Sequence, residues 1–215
     1  NAFLATKISF INEIANICQA CGIDAKEVAH AIGLDPRISP HFLRFGIGFG
    51  GSCFPKDVKA LIAFAEKVGY RPKLLKATLD VNEKQPLEVI KLAGEIDGKT
   101  IALLGLSFKP GTDDIREAPS LKIIRELKKF NVRIKAYDPK AAENVKKIFP
   151  DIEYARDPLE CLKGADICFI LTEWKEIKNL KAKDFIRHMK RPVVIDGRRV
   201  FDPKDMRGII YKAIG

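Results

Sequence analysis

The feature that most constrains this chain is a change of texture at Asp97-Gly98. Before it, apolar residues recur at helical spacing and no strand-like run occurs. Leu4, Ile8, Ile11, Ile14, Cys18 and Cys21 follow one another at intervals of three and four, the period of an amphipathic helix. Gly22 stops that helix. Asp24-Ala25-Lys26-Glu27 reads as a capped start to a second one, which Gly33 closes. Ser39-Pro40 offers a further N-cap with proline at the first helical position, so His41 to Phe45 reads as the end of a short helix. Another amphipathic helix is expected over 55–68, stopped by Gly69, and a longer helical pattern over 72–95, interrupted at Pro86.

After the boundary, short apolar runs alternate with helical stretches. Thr100 to Leu104 and Val132 to Tyr137 read as strands, with a helix over roughly 119–130 between them. Further runs follow at 167–172, 193–195 and 209–211. Strands alternating with helices imply βαβ units and a parallel sheet. The expected fold class is therefore α/β in two parts: an all-helical domain over 1–96 and a doubly wound parallel-sheet domain over 97–215. Ligands of such a sheet lie beyond the carboxyl ends of its strands. Those ends carry Gly105 to Lys109, Tyr137-Asp138-Pro139, Thr172-Glu173-Trp174 and Asp196-Gly197-Arg198-Arg199.

Lysine and arginine number 38 against 28 acids, a formal charge of +10. That favours anionic partners, although a solvated Lys/Glu surface gives the same total. No nucleic-acid motif accompanies the charge, and no run approaches the ~20 apolar residues of a membrane span. The five cysteines are Cys18, Cys21, Cys53, Cys161 and Cys168. An odd count without a secretion signal argues against a disulfide framework and for a cytoplasmic setting. Cys18 and Cys21 lie three apart on a helix, and no second pair at that spacing exists, so a core role is expected for both and no metal site.

Cys53 differs from the others. It follows Gly46, Gly48, Gly50 and Gly51, and precedes Phe54-Pro55-Lys56-Asp57, where a helix begins. The glycines match G-x-G-x-x-G, but that fingerprint needs a preceding strand, and none is expected here. What they supply is a backbone free of side chains, able to lie against a ligand. A thiol at a helix N-terminus has its anion favoured by free amides and the dipole, with Lys56 beside it. Asp57, one turn on, is placed to orient a water; an ordinary first-turn acid is the alternative. No histidine is placed as a base for Cys53. In the second half, Phe108 and Lys109 stand at a strand end before a loop and helix start. An aromatic and cations there, with Arg116, suit a base and phosphates, or else form a solvated charged loop.

Taken in order, several motifs resemble the nucleotide-sugar 6-dehydrogenase family, and within it the UDP-glucose branch. They are Asn1 to Ala5, Gly48 to Asp57, Phe108 to Ser120, Tyr137-Asp138-Pro139, Thr172-Glu173-Trp174 and Asp196 to Arg199. The resemblance implies that 1–96 is a helical central domain that forms a homodimer and carries the catalytic cysteine. It implies that 97–215 is a Rossmann-like domain that binds the UDP part of a UDP-sugar. The family's N-terminal NAD-binding domain has no counterpart in this chain, which implies a fragment that is inactive alone. The implied chemistry oxidises a sugar CH2OH to a carboxylate with two NAD. Cys53 would carry the thiohemiacetal and thioester, Asp57 would activate waters, and Asn1 would help stabilise the oxyanion. Substrate contacts would fall to Asn1, Arg44, Phe45, Gly46, Ile47, Gly48, Phe49, Gly50, Phe108, Lys109 and Arg198. Arg37 would reach the neighbouring subunit's substrate. Cys53, Phe54, Pro55, Lys56 and Arg116 would face NAD. GDP-mannose and N-acetyl-hexosamine dehydrogenases are the alternatives within the family, and a UDP-sugar-binding module without chemistry is the alternative outside it.

Overall fold

The structure, a computed structural model, describes all 215 residues. Its first half is helical: α1 (Ala2–Cys21), α2 (Ala25–Gly33), α3 (Cys53–Lys67), α4 (Lys73–Lys84), a 3-10 turn at Gln85–Leu87, and α5 (Glu88–Ala93). The second half alternates: β1 (Thr100–Leu104), α6 (Pro119–Leu127), β2 (Arg133–Tyr137), α7 (Ala142–Lys146), β3 (Glu153–Tyr154), α8 (Pro158–Leu162), β4 (Ile167–Ile170), α9 (Lys175–Lys178), α10 (Ala182–His188), β5 (Val193–Asp196) and β6 (Ile210–Ala213). The strands form one sheet in the order β3-β2-β1-β4-β5-β6, parallel throughout. That is the doubly wound order, in which the chain adds strands outward in one direction from β1 to β3 and in the other from β4 to β6, so the switch point lies between β1 and β4.

Local chemistry explains the elements. Gly22 sits in the left-handed region at φ 71° and closes α1, with the amides of Gly22 and Ile23 returning to Gln19 and Cys18. The Asp24 carboxylate accepts from the Lys26 amide and starts α2. Pro86 falls in the 3-10 turn that separates α4 from α5. The central strands β1 and β4 are apolar almost throughout and buried on both faces, as a parallel sheet covered by helices requires.

The boundary expected at 96/97 falls in the link between α5 and β1. The two halves nevertheless share a core. One apolar cluster runs from Ile11, Ala15 and Phe45 through Ile47 and Val89 to Ile101, Phe169 and Ile195.

Two local expectations are corrected and one strand is added. No helix forms after Ser39-Pro40, and residues 34–52 contain none. Instead Leu43, Phe45, Ile47 and Phe49 are buried at every second position, the signature of an extended segment, while Ser39 (φ 68°) and Phe42 (φ 64°) turn the chain into it. Cys21 is exposed rather than core, because it lies on the last turn of α1, past the residues that pack. A two-residue strand, β3, joins the sheet edge without any apolar run to announce it.

Candidate active site

The extended segment from Leu43 to Gly51 carries the site. Its apolar side chains enter the core, so Arg44, Gly46, Gly48 and Gly50 present the other side of the backbone. Ile47 is 1% exposed and can meet a ligand only through its main chain. Both ends of the segment are held by amide side chains. Asn82 on α4 accepts from the Phe49 amide at 2.8 Å and donates to the Phe49 carbonyl at 3.0 Å. Asn12 on α1 accepts from the Gly46 amide at 2.8 Å, and Gln85 donates to the Gly46 carbonyl at 2.8 Å. Gly48 is the one residue type that fits between these clamps. Its φ is 89°, and a Cβ would stand 2.6 Å from Asn82 Oδ1. The glycines thus serve close packing as much as access for a ligand: Gly48 against Asn82 on α4, Gly46 against Gly197, Gly50 against Glu117 and Gly51 against Phe108. Sequence reading missed Asn12, Asn82 and Gln85; buried amides on otherwise amphipathic helices were the available signal.

Asn82→Ala leaves a buried amide and carbonyl of Phe49 without partners. We expect a loss of about 2–4 kcal/mol in unfolding free energy, read from denaturant midpoints, with Asn82→Asp intermediate because it keeps the acceptor.

The segment delivers Cys53 to the first position of α3, with Ser52 before it. The thiol is exposed, and Ser52 Oγ lies 3.7 Å from its sulfur. One turn along α3, Asp57 accepts from Asn1 Nδ2 at 2.5 Å and pairs with Lys56 at 3.0 Å. The hydrogen bond from Asn1, and then that from Lys56, hold the Asp57 carboxyl below its usual range. The structure therefore joins Asn1 to Asp57 across the starts of α1 and α3.

Across from Cys53 stand the strand ends of the sheet. Asp138, at the end of β2, gathers the loop after β1: its Oδ2 accepts from the Leu106 amide, the Ser107 amide and hydroxyl, and Trp174 Nε1, at 2.7–3.1 Å. Its Oδ1 accepts from the amides of Lys140 and Ala141. Gly105 lets the chain leaving β1 lie tightly against the chain leaving β4; its φ is 94°, and a Cβ would meet the Thr172 backbone nitrogen at 2.5 Å. Phe108 and Lys109 follow, the Lys109 Nζ resting 5.3 Å from the Phe108 ring centroid. Asp196, at the end of β5, is buried and accepts from the amides of Arg198, Val200 and Phe201 and from the Tyr211 hydroxyl. Burial pushes its carboxyl up against the pull of those donors. This turn aims Arg198, which donates from Nε to the Leu171 carbonyl at 2.8 Å and from Nη1 to the Gly48 carbonyl at 3.3 Å. Burial lowers the Arg198 pKa from its ordinary value.

Together these parts enclose a cavity of about 500 Å³. Arg44, Gly48, Phe49, Gly50, Cys53 and Phe54 line it from the helical half, and Phe108, Lys109 and Arg198 from the sheet. Ile8, Phe42, Gly51, Ser52 and Glu173 also line it; Gly51, Ser52 and Glu173 stand in stretches singled out from the sequence, but none of the five was expected to contact a ligand itself. Phe45 faces a smaller neighbouring hollow, and Gly46 packs against Gly197. Pro55 is buried and lines a separate groove with Lys59 and Asp80. Arg37 lies outside the cavity, 87% exposed and paired with Asp35. Arg116 is held on Asp114 at 2.7 Å. The bond to Asp114 raises its pKa. No group of His, Cys, Asp and Glu is arranged to hold a metal ion, and no helix is long and apolar enough to cross a membrane.

Comparison with known proteins decides the family. Residues 1–84 match the UDP-glucose/GDP-mannose dehydrogenase family, central domain, and residues 102–203 match the same family's UDP binding domain. The chain belongs to this family. It is 46% identical over 222 residues to UDP-glucose 6-dehydrogenase TuaD of Bacillus subtilis, covering all of this chain and 48% of that protein. It is 45% identical to UDP-glucose 6-dehydrogenase AglM of Haloferax volcanii, covering all of this chain and half (50%) of that one. Among solved structures, a UDP-glucose dehydrogenase from Pyrobaculum islandicum superposes with a TM-score of 0.88 at 38% identity, again over the whole chain and 48% of its own length. The chain spans about half the length of the curated relatives it matches. The α/β class expected from the alternation of strands and helices is the class of these dehydrogenases.

Proposed function

We propose that this chain is the cysteine-bearing and nucleotide-binding part of an NAD-dependent UDP-glucose 6-dehydrogenase, which makes UDP-glucuronate. The observation that carries the reading is the cavity itself. An exposed Cys53 at a helix start faces Lys109 and Arg198 from the other half, across a space of about 500 Å³. A cysteine alone would suit many proteins. A cysteine opposite cations at the switch point of a doubly wound sheet suits a reacting carbon tethered to a diphosphate.

The chemistry assigned to the chain's residues follows from their positions. The Cys53 thiolate adds to the C6 aldehyde of the sugar, forming a C–S bond and an oxyanion. Asn1 supports the oxyanion. NAD, when bound, would supply the hydride acceptor both for making that aldehyde from the CH2OH group and for converting the Cys53 adduct to a thioester. Water, oriented by the Asp57 carboxylate, then adds to the thioester; the C–S bond breaks, the thiolate leaves, and the carboxylate forms. Asp57 is kept ionised for this by Asn1 and Lys56. Lys109, Arg44 and Arg198 bind the diphosphate, while Phe108 and the Gly48 to Gly50 backbone shape the sugar site. Of this chain's residues, Cys53, Phe54, Lys56 and Arg116 would meet only the edge of NAD, since the loop after β1 lacks the dinucleotide fingerprint and Gly46-x-Gly48-x-x-Gly51 follows no strand. The homodimer expected from the family resemblance is supported by α1, whose Phe3 (74% exposed), Phe10 and Ile17 repeat every seven residues on one open face. Arg37 belongs to that assembly as the residue offered to the neighbouring subunit.

The test is turnover by the intact protein with NAD and each of UDP-glucose, GDP-mannose and a UDP-N-acetyl-hexosamine. UDP-glucose is expected to give a kcat/KM at least tenfold above the others. GDP-mannose ahead of UDP-glucose would reassign the branch, and no oxidation of any of them would leave a nucleotide-sugar-binding module.

A further inference from the structure

Behind the Cys53 cavity lies a second hollow of about 150 Å³, lined by Lys26, Leu43, Arg44, Phe45, Arg198 and Arg199 among others. Four of these are cations. Arg44 and Arg198 line both hollows, so they form the wall between them, while Lys26 and Arg199 belong to the rear one alone. One carboxylate bonds to this group: Asp24 pairs with Arg199 Nη2 at 2.5 Å. Glu173 approaches Arg198 Nε only to 3.9 Å. Lys26 makes no ion pair.

Arg199 is the informative residue. Its side chain is 12% exposed, and its Nε is buried without a hydrogen-bond partner. Such orphans are rare and call for a partner. Its backbone is left-handed, φ 51°, which costs free energy in a residue other than glycine. The same turn that aims Arg198 forward thus aims Arg199 into the rear hollow. Burial lowers the Arg198 pKa, Glu173 opposes that, and the positive charge of Arg44 beside it lowers it further. Converging cations with one carboxylate among them, in a half-closed space, are balanced by a bound anion. The volume is roughly five times the ~30 Å³ share of one water. That is room for a tetrahedral oxyanion and too little for a nucleoside.

We propose that this rear hollow is a phosphate-binding site, with Arg199 and Lys26 as its own ligands and Arg44 and Arg198 shared with the front cavity. The phosphate group comes either from a nucleotide reaching in from the front or from free inorganic phosphate. The inference rests on the geometry of the hollow and does not depend on the chemistry of Cys53.

The experiment is titration calorimetry of the chain with inorganic phosphate and, separately, with UDP, at constant ionic strength set by chloride so that general screening is equal. Lys26→Met and Arg199→Met are each expected to weaken binding at least tenfold. Lys67→Met, which removes an exposed charge on α3, should leave it within twofold. Lys26 is exposed and unpaired, so its variant carries the test should Arg199→Met fail to fold. Phosphate binding that responds to these variants and competes with UDP identifies the nucleotide as the source; phosphate binding that responds but adds to UDP identifies a separate anion. If phosphate does not bind but UDP binding weakens tenfold in Lys26→Met, the nucleotide is again the source. If neither ligand's affinity moves in Lys26→Met, the site does not exist, and the reading of Cys53 stands or falls separately.

Discussion

Cys53→Ser in the intact protein is expected to lower UDP-glucuronate release by at least about 10³-fold. A serine hydroxyl is a far weaker nucleophile without an adjacent base, and no histidine lies beside this position to serve as one. The structure makes the measurement clean. Cys53 is exposed in a formed cavity, and Asn1 and Asp57, one turn along α3, are held by each other and by Lys56 rather than by the sulfur, so the variant should fold as the parent does. Residual product at the parent's rate would end the covalent mechanism. Alkylation gives a second arm, provided that Cys21, the other exposed thiol, is first replaced by serine. One equivalent of iodoacetamide should then abolish turnover, and bound UDP-glucose should protect.

Asp138→Ala is expected to cost about 4 kcal/mol or more of stability, a Tm drop of roughly 10 °C for a protein of this size. The carboxylate is 4% exposed and serves six donors, among them the Leu106, Ser107 and Ala141 amides and the Trp174 indole. Deleting it strands buried N–H groups, each costing about 1–3 kcal/mol where water cannot reach. The loop it pins runs directly into Phe108 and Lys109, so nucleotide affinity should fall with stability. Asp138→Asn keeps the shape but turns either an acceptor or a donor pair wrongly, and should lie between. A melting temperature unchanged by Asp138→Ala would show that the network is incidental to the fold.

Asp138 also shows what a sequence conceals. Tyr137-Asp138-Pro139 stands where the strand-end rule puts ligand residues, yet Asp138 and Trp174 are spent on holding β1, β2 and β4 together at the switch point. Arg198, from a similar strand end, does reach the cavity. Both are polar residues just past a parallel strand, and only the direction of the following turn separates them. The glycine segment gives the opposite case. Leu43, Phe45, Ile47 and Phe49 alternate with Arg44, Gly46, Gly48 and Gly50, a plain period of two. The Ser39-Pro40 pair, which resembles a helix cap, masked it. Local capping chemistry lost to burial: an extended segment places four apolar side chains in the core, and a helix there would have spread them around its axis.

From the sequence alone came the helical half, the alternating half, the break between them, and a cysteine at a helix start. Each is a property of neighbours a few residues apart, where period, proline and glycine act directly on the backbone. Tertiary structure alone decided which polar groups became clamps and which faced the cavity. Asn82 reaches Phe49 over 33 residues of chain, and Arg198 reaches Gly48 over 150. Contacts at such separations depend on how two cores pack together, and no local pattern of residues encodes that.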